Sequence, residues 1–144
     1  MTLTRMRREG FTLIELLVVV TILGILAAIS IPLSSAQTVK ASLTEVNNAI
    51  SHVASAVASY YQENDSFPSA SGKEAIRTTL GVSLGNISKI QAIDVTDGVI
   101  SVTITNVSSQ VDGSSLILTP SIGGDLSISW TWGGTIQKAF MPGK

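Results

Sequence analysis

The chain has 144 residues, of which 44% are hydrophobic and 13% charged, with Lys plus Arg 9, Asp plus Glu 10 and a formal net charge of −1. It is too apolar to be a disordered segment, and it has no basic excess to hold a polyanion. Cysteine is absent, which excludes a disulfide scaffold, a thiolate metal site, an iron–sulfur cluster and a cysteine nucleophile.

In chain order, a basic cluster comes first. Arg5, Arg7 and Arg8 precede Glu9 and Gly10, and a run without charge then extends from Leu16 to Val39. As a helix that run would span roughly 36 Å, enough for a hydrocarbon core of about 30 Å. The positive-inside bias places the N-terminus in the cytoplasm and the rest beyond the span. Ala28-Ile29-Ser30 loosely fits a secretory cleavage site, and an uncleaved anchor is the other ordinary reading. Neither explains two details. Gly10 stands before the apolar run, and a carboxylate, Glu15, sits at the start of it, where charge in lipid is costly. Further along, Gly24 and Pro32 are the helix breakers of the run.

Past Pro32 the pattern becomes one-sided. Val39, Leu43, Val46, Ile50, Val53, Val57 and Tyr60 recur at alternating steps of three and four, one apolar stripe at helical period. A helix from Phe11 to about Glu63 would be roughly 80 Å long. Residues 64–72 then end it with breakers and turn formers. A short helical turn is predicted over Lys73–Leu80, ahead of Gly81. Strands are predicted over Ile87–Val95, Val99–Asn106, Ser115–Ile122 and Asp125–Trp132, joined by short turns that favour an antiparallel meander. Pro120 marks the third of them as an edge candidate. The predicted fold class is α+β: a long N-terminal helix packed on an antiparallel sheet of about four strands.

Catalytic constellations are not found. His52 has no second histidine beside it and reads as a polar-face residue; Asp94, Asp97, Asp112 and Asp125 stand near turns, without the spacing of a calcium loop. No enzyme activity, cofactor or metal is predicted, and no small-molecule substrate.

Arg7-Arg8-Glu9-Gly10-Phe11-Thr12-Leu13-Ile14-Glu15-Leu16 resembles the class III signal of type IV prepilins and related pseudopilins. The resemblance implies a leader of residues 1–10, cut by a prepilin peptidase between Gly10 and Phe11, with Phe11 then N-methylated. It implies a transmembrane and filament-core helix over 11–38 and a globular head over 39–144. Glu15 is then expected to pair with the Phe11 amine of a neighbouring subunit, which would neutralise two charges that are costly to leave alone in an apolar bundle. Gly24 and Pro32 match the stretch that loosens when subunits of this family pack. The close of the chain, Ile128–Trp132 followed by Lys138–Lys144, is similar to that of type IVa major pilins. In many of those a disulfide closes a loop there; here both cysteines are missing, which puts a loop-based adhesin or DNA-receptor role in doubt.

The expected function is therefore structural: a subunit stored in the bacterial inner membrane and assembled by the pilus machinery into a helical homo-oligomer on the surface, serving adhesion or twitching motility, with DNA binding left open. A minor pilin or a type II secretion pseudopilin is the alternative within the same superfamily. A membrane-anchored binding domain that never polymerises is the alternative of another class.

Overall fold

A computed structural model of the chain describes residues 10–125 and 127–142, with side chains undescribed at 31–34. Most of the 1–10 leader and the last two residues of the C-terminal resemblance lie outside the described residues. The chain separates into two compact units, Met1–Gln37 and Thr38–Lys144. Helix α1, Leu13–Asn64, contributes to both.

Thr12 starts α1. Its Oγ1 accepts a hydrogen bond from the Glu15 amide at 3.2 Å, satisfying one of the donors that a helix start leaves unpaired. Inside the apolar stretch the hydroxyls of Thr21 and Ser30 donate to the carbonyls of Leu17 and Leu26, both at 2.8 Å, so these polar groups need no water. The backbone stays helical at Gly24 and at Pro32. Neither breaker ends the helix in the single chain.

In the second unit the stripe is buried as its period requires. Val39, Leu43, Val46, Ile50, Val53 and Val57 are all core residues, while Tyr60 is half-buried. They face a sheet of five antiparallel strands in the order β1-β2-β3-β4-β5: Ala70–Ser71, Ile90–Thr96, Val99–Ile104, Ser115–Ile122 and Ile128–Gly134. In β3 the inward residues Ile100, Val102 and Ile104 alternate with half-exposed neighbours, the pattern of a sheet with one wet face. Each fully buried Ile or Val contributes roughly 1.5–3 kcal/mol relative to exposure.

Three expectations change. The sheet has five strands, because the two-residue β1, too short to show a period, pairs with Asp94 and Val95 of β2. Residues 87–89 are loop: the Ile87 carbonyl accepts from Ile90 N and from Lys73 Nζ. Strand β4 is interior, with β3 and β5 on its two sides. Pro120 is nonetheless tolerated, since β3 pairs with β4 only as far as Leu118, and from Thr119 onward β4 pairs with β5 alone.

Helix α2, Gly72–Leu80, is capped from a distance: Asp94 Oδ1 on β2 accepts from Gly72 N at 3.1 Å and from the Ser71 hydroxyl. At the β2–β3 turn, Asp97 and Gly98 both have positive φ, 50° and 77°, the geometry of a tight hairpin turn. A Cβ on Gly98 would lie 2.5 Å from Phe67 Cδ1. The Phe67 ring in turn lies 4.5 Å from that of Tyr61, between centroids, and ties the end of α1 to this turn.

Candidate functional site

The residues singled out in the first unit line up along one exposed helix. Phe11 is 75% exposed and Leu13 87%, and the large apolar side chains from Ile14 to Ile29 are also exposed. Among the described residues this is the one helix long and apolar enough to cross a membrane, and its most apolar 18-residue window is 0% buried within the chain. An apolar surface of that extent is built to be covered by lipid or by another protein.

Glu15 is the sole charged side chain on that surface among the described residues, exposed and without an ion-pair partner. It occupies the third helical position after the Thr12 cap, so Thr12-x-x-Glu15 has the spacing of a capping box, and its negative charge lies at the positive end of the helix dipole. That local role for Thr12 was missed in the sequence reading, although the spacing alone signals it. Gly10 is exposed with open space around it: a Cβ there would meet nothing within 4 Å, and the same holds at Gly24. Among the described residues nothing requires glycine at either position.

The second unit holds its polar residues in local structure. His52 is exposed on α1 beside a shallow groove of about 250 Å³ with Glu45, Asn48 and Leu84. Asp94 caps α2. Asp112 Oδ1 accepts from Val107 N and Ser108 N at 2.9 and 3.2 Å, closing the loop after β3. Asp125 Oδ1 accepts from the Ser127 hydroxyl at 2.6 Å and the Ser127 amide at 3.2 Å, which holds its carboxyl below the usual range. Among the described residues no three His, Asp or Glu side chains gather as metal ligands would.

The C-terminal segment is held without a covalent staple. The Ser115 carbonyl accepts from Thr135 N at 3.0 Å and Ile136 N at 3.3 Å, and Ser115 N donates to Thr135 Oγ1 at 2.9 Å. Ile136 is buried, and Phe140 and Met141 pack against the core. Gly134 permits this clasp, since with φ 120° a Cβ there would come within 2.2 Å of the Ser115 carbonyl oxygen. Trp130 and Trp132 on β5 are half-buried against the same core.

With this arrangement in view, the comparisons with known proteins divide at the same place. Residues 5–31 match the prokaryotic N-terminal methylation motif, and residues 39–144 match the family described as pilin, a bacterial filament protein. Similar proteins include the fimbrial protein EcpC of Eikenella corrodens, 31% identical over 94% of this chain and 88% of the relative. The fimbrial protein of Neisseria meningitidis serogroup A is 32% identical over 91% of this chain and 76% of its own length. The type II secretion system core protein G of Pseudomonas aeruginosa is 41% identical, but over only 50% of this chain and 51% of its own. A methylation motif ahead of an exposed apolar helix, continuous with a helix-on-sheet head that matches over its whole length, places the chain in the pilin family of bacterial filament proteins.

Proposed function

We propose that this pilus structural subunit is made with a leader of residues 1–10, cut between Gly10 and Phe11 by a prepilin peptidase, methylated at Phe11, held in the inner membrane and then assembled through α1. The observation that carries the reading is the helix from Leu13 onward, apolar and uncovered along its length, with Glu15 in its first turn. The open surroundings of Gly10 support it as well. A glycine that the chain's own packing does not require suits a backbone that another protein must grip closely.

In the assembled fibre Glu15 is enclosed by apolar helices, and the Phe11 amine of a neighbour is the cation that compensates it. Membrane insertion and filament packing use the same surface in turn, so the subunit exchanges lipid for protein without exposing that surface to water. The match over the full head to the pilin family favours a pilus subunit. The similarity to a secretion core protein over half the chain is the observation behind the pseudopilin alternative.

The test is the intact mass of the subunit from sheared surface fibres. The expected chain begins at Phe11 and carries one methyl group at its amine. A chain beginning at Met1 or Ile31 overturns the processing step, and cells that form no such fibres overturn the filament role.

A further inference from the structure

Among the described residues of the second unit, most charges are already engaged. Arg77 pairs with Glu74 and Lys89 with Glu45, and Lys73 Nζ donates to the Ile87 carbonyl at 3.3 Å. Asp94, Asp112 and Asp125 accept hydrogen bonds in caps and turns. What is left divides by place. The two unengaged cations, Lys40 and Lys138, line one open groove of about 570 Å³ between α1 and the C-terminal segment. Its lining includes the apolar Leu43, Phe140 and Met141. Asn47 also lines it, and its Oδ1 is buried without a hydrogen-bond partner.

The three unengaged carboxylates, Glu63, Asp65 and Asp97, are exposed where α1 ends. Asp65 turns the chain out of the helix with φ 52°, and the Asp97 amide donates to Ser69 Oγ just beyond it. Lys40 and Glu63 lie on the same helix, and at 1.5 Å per residue they are about 35 Å apart along it.

Opposite charges at opposite ends of one rigid element cannot satisfy each other within a subunit. A two-fold dimer would bring them together only between antiparallel subunits, which copies inserted in one membrane by the same end of α1 are not. They meet head to tail, and such a contact leaves one end free at each step, so it propagates without closing. We propose that the Lys40–Lys138 groove receives the Glu63–Asp65 turn of a second copy of this chain, with Asp97 beside it, in a contact that repeats about every 35 Å along α1. This rests on the filament reading and adds to it what sets the axial register of the heads. The incoming turn also carries Gln62, an exposed amide able to donate to Asn47 Oδ1. Desolvating the apolar lining strengthens the charge contacts, and complementary charges suppress other registers.

The absence of cysteine makes a direct test available. Fibres of the Lys40→Cys, Glu63→Cys double variant, treated with a short bis-maleimide, are expected to give a ladder of dimers, trimers and higher species on a denaturing gel. Each single variant stays monomeric. Fibres of the double variant that give no ladder, or dimers from either single variant, overturn the head-to-tail contact. As a second arm, Lys40→Glu with Lys138→Glu should lower fibre yield by about tenfold or more, and adding Glu63→Lys with Asp65→Lys should restore most of it. Normal fibres from the first pair, or no recovery with the second, refute this contact. Absence of fibres from the unaltered chain sinks the filament reading itself.

Discussion

Glycine has different reasons at different positions in this chain. At Gly98 the backbone is left-handed and Phe67 occupies the space of a side chain; at Gly134 the Ser115 carbonyl does. Gly98→Ala is expected to cost about 1–3 kcal/mol, measured by denaturation of the detergent-solubilised chain. Gly10 has neither constraint. Gly10→Val should leave that stability unchanged and block removal of the leader, since a branched side chain crowds the site where the peptidase must act. A processed Gly10→Val subunit would show that the glycine is not what the peptidase reads. These two classes could not be separated in the sequence: Asp97-Gly98 was legible as a turn, but the packing of Phe67 against it joins residues far apart in the chain. The role of Thr12 is legible in the sequence, because Thr12-x-x-Glu15 carries the spacing of a helix cap as well as the charge.

Helix α1 was legible for a physical reason. Its apolar residues recur at a period that only a helix can bury, and six of the seven stripe residues are in the core. Val53, fully buried, is its centre. Val53→Asp should destabilise the head by about 3 kcal/mol or more, because the new carboxylate has no cation or donor to meet it. An unchanged denaturation midpoint would show that the seam tolerates charge there. The strands were less legible. Two residues of β1 carry no period, and Pro120 reads as an edge signal unless the length of β3 is known. The β4–β5 turn adds a pH dependence. The Ser127 hydroxyl, and then its amide, lower the Asp125 pKa from its ordinary 3.8. A depressed carboxylate contributes stability above its unfolded value and loses it as pH falls through the folded one. The turn is therefore expected to loosen only in acid below the ordinary carboxylate range. Ser127→Ala should move the Asp125 titration upward, read from the carboxyl carbon shift in NMR; an unmoved titration would remove Ser127 as the cause.

For the whole molecule the question is which residues serve the fold and which serve the fibre. Glu15 lies outside the unit that holds the core, and its side chain has no partner among the described residues. Glu15→Ala should therefore leave subunit level, leader removal and head stability intact while reducing or abolishing fibres. Glu15→Gln is expected to impair assembly too, because an amide keeps the hydrogen bonding and loses the charge. Normal fibre numbers from Glu15→Ala in a strain lacking any other pilin would refute the role of the carboxylate.

The uncrosslinked clasp at Ser115 has a mechanical consequence. A head closed by a covalent bridge resists tension at that point until the bond itself fails. Here the closing contacts are hydrogen bonds between Ser115 and residues 135–136, the seating of Ile136, and the packing of Phe140 and Met141 around the short turn of Lys138–Phe140. Pulled from its C-terminal side, such a head yields by peeling: the last turn first, then β5 from β4, one pair at a time. Because β4 and β5 are neighbours in sequence, the peeled strand has a short search to re-pair, and hairpins form in about 1–10 μs. No step of this closure involves a thiol, so the melting temperature of the head is expected to be the same with and without reducing agent.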